Sequence, residues 1–210
     1  MTIEEKLFET YPLEKPGMMT KCQIKYILRN LRIVLESGIE GDVVELGCHA
    51  GTTSLFIRRL LDHYQSDKSF HVYDSWQGLP GKDEKDGNTS FKQGQCMTTK
   101  EIFVNNFKKW NLELPRIHSG WFEDIPDEEY PGKIAFAYFD GDFYQSIIAS
   151  FNKVYIKLSP EARLVIDDYE HPELPGCPQA CRDFLKDKPE EIEILKDVTG
   201  RASSGLMIKK

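Results

Sequence analysis

The sequence predicts an α/β fold in one domain, a mostly parallel sheet of seven strands flanked by helices and closed by a C-terminal antiparallel strand. Short apolar runs of strand length alternate with stretches whose apolar residues recur three and four apart, the pattern of strands joined by helical crossovers. The clearest run, Ile134-Ala135-Phe136-Ala137-Tyr138-Phe139, stops at Asp140-Gly141-Asp142, which cannot continue a strand. A second run, Ala162 to Ile166, stops at Asp167-Asp168-Tyr169. Between them, Ile147, Ile148, Phe151, Val154, Tyr155 and Leu158 share one face of a helix over Tyr144 to Leu158. Strand, helix and strand in that order lie parallel and usually adjacent, so Asp140, Asp142, Asp167 and Asp168 reach one edge of the sheet. Open α/β sheets bind their ligands at that edge.

A chain of 210 residues suits one domain with a full core. Its 40% hydrophobic and 29% charged residues argue against a disordered or fibrous protein. The net charge of −7 argues against nucleic-acid binding, which needs a basic face, and suits a cleft for a cationic ligand. Met1 to Leu13 is acidic where a secretory leader is basic and apolar, and no apolar stretch approaches the length of a membrane span. The five cysteines are odd in number and show no C-x-x-C pair, so reduced thiols in a cytoplasm are expected. Cys177 and Cys181 can share a helix face but lack two further soft ligands for zinc.

In chain order, residues 1 to 38 read as an N-terminal arm and a helix. Pro12 and Pro16 interrupt the arm, and Ile24, Ile27, Leu28, Leu31, Val34 and Leu35 form the stripe of a helix over Met18 to Ser37. Asp42 to Gly47 is a strand ending on glycine, followed by Cys48-His49-Ala50-Gly51-Thr52-Thr53 and a helix over Ser54 to Tyr64. Such a turn points backbone N–H groups at a polar ligand. Here His49 stands where a dinucleotide fingerprint needs its second glycine, and Glu45 would repel a pyrophosphate but attract an amino group. Phe70 to Asp74 is the second strand, ending in an acid suited to the two hydroxyls of a ribose. Gly81 to Thr99 is a long polar loop, read as a lid over the site. A helix over Glu101 to Trp110, a strand over Arg116 to Gly120, a helix over Pro175 to Lys186 and two closing strands at Ile192 to Leu195 and Gly205 to Ile208 complete the series. The closing pair is joined by a turn at Thr199-Gly200. Trp121 either stacks on an adenine or fills core.

Read together, Gly41-Asp42-Val43-Val44-Glu45-Leu46-Gly47, Asp74-Ser75-Trp76-Gln77-Gly78-Leu79-Pro80, Gly120-Trp121-Phe122, Phe139-Asp140-Gly141-Asp142-Phe143-Tyr144 and Ile166-Asp167-Asp168-Tyr169 resemble the class I S-adenosylmethionine methyltransferases. More narrowly, the chain resembles the macrocin O-methyltransferase family, metal-dependent enzymes that methylate sugar hydroxyls of natural products. The resemblance implies a Rossmann-like sheet, S-adenosyl-L-methionine and Mg2+ as cofactors, a carbohydrate-containing acceptor and a homodimer. It implies that Glu45, Gly47, Gly51 and Thr53 line the methionine half of the donor. Asp74 would hold its ribose, Ser75, Trp76, Gly120 and Trp121 would border the adenine, and Asp140 would lie beside the donor. Asp140, Asp167 and Asp168 match the family's magnesium ligands, and Asp142 matches its proposed general base. Catechol methyltransferases, which are related, carry a lysine base where this chain has Phe143.

A neutral hydroxyl is a poor nucleophile, so methylating an alcohol calls for a group that takes its proton and one that makes it more acidic. Each acid alone also has a structural explanation, Asp142 as a helix cap and Asp168 as a turn residue. Four acids converging at one edge would repel one another unless a cation or protons compensate. Two alternatives stay open: a non-catalytic S-adenosylmethionine-binding module, which needs neither cation nor base, and a metal-free methyltransferase, which is indifferent to Asp167→Ala. Among acceptors, a free sugar, a nucleotide sugar, a glycoside and a surface polysaccharide all remain.

Overall fold

The computed structural model describes residues 2–10, 19–196 and 203–210. The arm around Pro12 and Pro16 and the turn at Thr199-Gly200 lie outside the described residues. In order come α1 (Ile3–Thr10), α2 (Lys21–Glu36), β1 (Asp42–Leu46), α3 (Thr52–His63), β2 (Phe70–Asp74), α4 (Lys100–Lys109), β3 (Arg116–Ser119), β4 (Ile134–Phe139), α5 (Tyr144–Val154), β5 (Leu158–Ile166), α6 (Gly176–Leu185), β6 (Ile192–Lys196) and β7 (Ser203–Ile208). The strands form one sheet in the order β3-β2-β1-β4-β5-β7-β6, parallel except for β7, which pairs antiparallel with both β5 and β6. The expected seven-stranded, mostly parallel sheet is present.

β4 sits at the centre of the sheet, and all six of its residues are buried. Successive strand residues face opposite sides. Val43, Phe136 and Tyr138 join α2, α3 and α4 in one core layer. Val44, Ala137 and Phe139 join α5 and α6 in the other.

The element ends differ from the sequence reading where local chemistry overrides periodicity. The helical stripe of α5 extends to Leu158, but the helix stops at Val154, tightens into a 3-10 turn over Tyr155–Lys157, and Leu158 already begins β5. β5 is longer than its apolar run because Leu158 pairs with Ile134 ahead of a register shift, with Glu161 at a φ of 64°. Ser159-Pro160-Glu161 therefore reads as a break although the strand passes through it. α2 starts at Lys21 because Thr20 and Gln23 form a reciprocal capping box.

At the β2–β3 edge, His71 is 5% exposed and lies 3.1 Å, Nδ1 to Nε2, from His118, whose Nδ1 is 2.7 Å from Glu129. Burial, with the neighbouring His118 and Arg116, pushes the His71 imidazole down to about 4. The unfolded chain takes up that proton near pH 6.5, well before the folded protein does. Stability from a neutral His71 is therefore complete above pH 6.5 and is lost as pH falls toward 4, by up to about 3 kcal/mol. Thermal melts are expected to show a wild-type Tm that falls through this window relative to His71→Phe; parallel curves would contradict it.

Candidate active site

Strand register brings the site residues into one row. Leu46 of β1 is paired with Tyr73 of β2 and with Phe139 of β4, and Phe139 with Ile166 of β5. The next residue along each strand is therefore Asp74, Gly47, Asp140 and Asp167, side by side at the carboxyl edge. This is also where the strand order reverses, β1 leading out to β2 and β3 on one side and β4 to β5 on the other, so a crevice opens between the loops that follow β1 and β4. Gly47 has a φ of 95°, and a Cβ there would stand 2.0 Å from the carbonyl oxygen of Asp140. The two loops meet so closely that only glycine fits.

A cavity of about 670 Å3 occupies the crevice. Its wall includes Glu45, Gly47, Thr53, Asp74, Ser75, Trp121, Asp140, Asp142, Asp167 and Asp168. Gly51, Trp76 and Gly120 adjoin lining residues in sequence without lining the cavity themselves. Gly51 takes a left-handed conformation as the N-cap of α3 against the ring of Phe103. Trp76 turns into the core, edge-on to Phe103, and its Nε1 donates to the carbonyl of His49 at 3.2 Å. Gly120 continues the ladder beyond β3, its N–H donating to the carbonyl of Asp74.

On the β1 and β2 side the polar groups suit a ligand with both charges. The Glu45 carboxyl is buried and accepts from the Ser54 hydroxyl at 2.5 Å. Burial pushes it up to about 8, with the Asp74 charge adding to the effect, and a cationic group beside it would favour its ionised form. The oxygens of Asp74 accept the backbone N–H groups of His49 at 2.8 Å and Trp76 at 2.7 Å, which fixes the carboxylate at the turn after β1. α3 begins without a side-chain cap, and Thr52 and Thr53 of its first turn line the cavity. Its free N–H groups can receive a carboxylate. An ammonium, a carboxylate and a ribose thus each have a matching feature on this wall, as S-adenosylmethionine requires.

On the β4 and β5 side the four predicted acids face the same cavity. Burial holds Asp140 far above the usual carboxylate range, followed by the charges of Asp167, Asp142 and Asp168. Asp142 and Asp167 are raised by burial first and then by Asp168, and Asp168 is raised by burial. Two neutral groups hold this wall in place: Gln23 Nε2 donates to Asp167 Oδ1 at 3.1 Å, and the Tyr138 hydroxyl donates to Asp140 Oδ2 at 3.3 Å. As they lie, the described residues include no group of three or more histidine, cysteine, aspartate or glutamate side chains set to hold a metal ion. The donor set itself suits a hard divalent cation, being all oxygen and mutually repelling, and such a cation would relieve the repulsion.

Several residues on the wall escaped the sequence reading: Met19, Thr20, Gln23, Phe91 and Ser146. For Gln23 the signal was half present, since the Thr20 to Gln23 spacing marks a helix start, but its tie to Asp167 spans 144 residues. His171 lines the cavity too, its ring edge-on to Phe91 at 6.3 Å. The loop read as a lid contains a 3-10 turn over Glu84–Asp86 and is bonded through Lys85 to Tyr144 of α5 and Asp183 of α6 and through Ser90 to Glu173.

The family profile described as macrocin O-methyltransferase (TylF) matches residues 8–200. The chain is 31% identical over 163 residues to the 8-demethyl-8-(2,3-dimethoxy-alpha-L-rhamnosyl)-tetracenomycin-C 4'-O-methyltransferase of Streptomyces olivaceus, a match covering 73% of this chain and 60% of that protein. It is 26% identical over 187 residues to the mycinamicin III 3''-O-methyltransferase of Micromonospora griseorubida, covering 84% of this chain and 72% of that one. Among solved structures, the O-methyltransferase NovP superposes with a TM-score of 0.78 at 22% identity over 99% of this chain and 88% of its own. The calicheamicin methyltransferase CalS11 superposes with a TM-score of 0.71 at 18% identity over 98% and 89%. At these identities the superpositions speak for the fold.

Proposed function

Because the chain belongs to the macrocin O-methyltransferase family, we propose that it transfers a methyl group from S-adenosylmethionine to a hydroxyl of a sugar-bearing small molecule, with a divalent cation at the acid wall. The observation that carries this reading is that one and the same cavity has a wall that suits the donor and a facing wall that bears four carboxylates. The donor supplies an electrophilic methyl group on a sulfonium, displaced in line. Glu45 attracts its ammonium group, the first turn of α3 with Thr53 receives its carboxylate, and Asp74 accepts from its ribose hydroxyls. Trp121 and Ser75 border the ring beyond. Asp140, Asp167 and Asp168 would hold Mg2+, which would supply Lewis acidity toward a hydroxyl beside it. Asp142 then accepts the hydroxyl proton, the step a neutral alcohol needs before it can attack. Met19, Phe91 and His171 enclose the acceptor half, where a sugar ring can stack.

The relatives act, by their names, on the rhamnosyl group of a tetracenomycin and on mycinamicin III, which supports a glycoside over a free sugar. Purified protein incubated with labelled S-adenosylmethionine, magnesium, mycinamicin III and demethyldecarbamoylnovobiocin, the compound named in a 25% identical O-methyltransferase of Streptomyces niveus, is expected to place label on a sugar oxygen, and a chelator is expected to stop it. Transfer that persists in chelator would favour the metal-free enzyme; donor binding without transfer to any glycoside would favour the binding module. In the same protein, Asp167→Ala is expected to abolish the heat of magnesium binding while leaving S-adenosylhomocysteine binding within about threefold. Equal magnesium heats would remove Asp167 from the cation site.

A further inference from the structure

We infer that Asp86 is a positioning residue for Asp142, acting from the 81–99 loop through the N-terminus of α5; the inference rests on the reading of Asp142 as the base. α5 starts after Phe143, which has no side-chain oxygen, so the helix lacks a cap of its own. Asp86, which is 1% exposed, supplies one from a distant loop: its Oδ1 accepts the Tyr144 N–H at 2.8 Å. Its Oδ2 accepts the Asp83 N–H at 2.8 Å, so the carboxylate is held at both ends by backbone. A buried anion at a helix N-terminus is favoured by the helix dipole.

The surroundings are shaped to admit this contact. A Cβ on Gly176, the first residue of α6, would stand 1.8 Å from Asp86 Oδ1 and 3.0 Å from the Tyr144 nitrogen. Lys85 Nζ donates to the Tyr144 hydroxyl at 2.6 Å and to Asp183 at 2.9 Å, and Gln145 Nε2 donates to Asp83 at 3.1 Å. The loop is thus fastened to α5 and α6 around the Asp86 cap.

The capped amide lies two residues beyond Asp142. That residue has a φ of 58°, and the next N–H, of Phe143, turns back to the Gly141 carbonyl at 2.6 Å. A non-glycine residue keeps such a conformation only where its surroundings fix it. On one side Asp140 is fixed by its N–H bond to the Leu46 carbonyl. On the other side the fixed point is Tyr144, and Asp86 holds it. Losing the cap frees the turn that aims Asp142 into the cavity, while the donor wall on β1 and β2 is untouched.

Asp86→Ala removes the contact directly, and Gly176→Ala displaces it from the opposite side. Both are expected to speed amide hydrogen exchange at residues 144–147 about tenfold. With mycinamicin III and demethyldecarbamoylnovobiocin as acceptors, both should lower kcat about 10- to 100-fold. The KM for S-adenosylmethionine and the Kd for S-adenosylhomocysteine should stay within about threefold, and Asp86→Asn, which keeps an acceptor for Tyr144, should recover most of the turnover. Faster exchange with unchanged kcat, or a fall in donor affinity equal to the fall in kcat, would overturn the positioning role. Full turnover in Asp142→Asn would remove the base reading and this inference with it; Asp142→Asn inactive with Asp86→Ala fully active would remove this inference alone.

Discussion

Gly47→Ala is expected to destabilise the protein by about 3 kcal/mol or more and to abolish donor binding. Two costs add at this position. The φ of 95° is unfavourable for alanine, and the new methyl group would sit 2.0 Å from the Asp140 carbonyl oxygen, which is backbone and cannot rotate away. The Gly47 N–H also donates to the Tyr73 carbonyl at 2.9 Å, and the Asp140 N–H donates to the Leu46 carbonyl at 2.8 Å, so relief requires parting the ends of the central strands. Thermal melting is expected to show a Tm lower by roughly 6–12 °C for a chain of this size. S-adenosylhomocysteine should give no measurable heat with the variant. A Tm within a degree of wild type would contradict the close approach of the two loops.

Asp142→Asn is expected to lower kcat about 10²- to 10⁴-fold while changing the donor Kd less than about threefold. The substitution keeps the shape and a hydrogen-bonding oxygen but removes the capacity to take a proton. Because Asp142 stands on the β4 loop and the residues proposed to hold the donor stand on β1, β2 and α3, donor affinity and turnover should separate. Steady-state kinetics on a glycoside acceptor, paired with calorimetry of S-adenosylhomocysteine, checks both numbers. Equal turnover would remove Asp142 from the base role, and a parallel loss of donor binding would indicate a collapsed loop.

What the sequence made legible follows from which interactions are local. β4 was readable because a strand buried on both faces is apolar throughout, and its end was readable because Asp140-Gly141-Asp142 cannot lie in one. The meeting of Asp140, Asp142, Asp167 and Asp168 at one edge was readable from the strand-helix-strand order, and parallel pairing sets Asp74, the last residue of β2, and Gly47, which succeeds β1, in the same row. The start of β5 was hidden by Pro160 and Glu161, which carry turn chemistry while the strand passes through a register shift. Gln23 and Asp86 were invisible for another reason. Each looks like an ordinary helix-start or loop residue, and its partner stands 144 or 58 residues away. Trp76 and Gly51 belong to the matching motifs, but Trp76 bonds the carbonyl of His49 in the turn after β1 and Gly51 starts α3. Neither lines the cavity.

Calorimetric titration of the purified protein with S-adenosylhomocysteine tests most directly whether the β1–β2 end of the cavity holds the methyl donor, as proposed. The wild type is expected to bind one equivalent, and Asp74→Ala to bind at least about tenfold more weakly, because hydrogen bonds from the ribose to a carboxylate are lost. No binding by the wild type, with or without magnesium, or equal affinity in Asp74→Ala, would contradict the account.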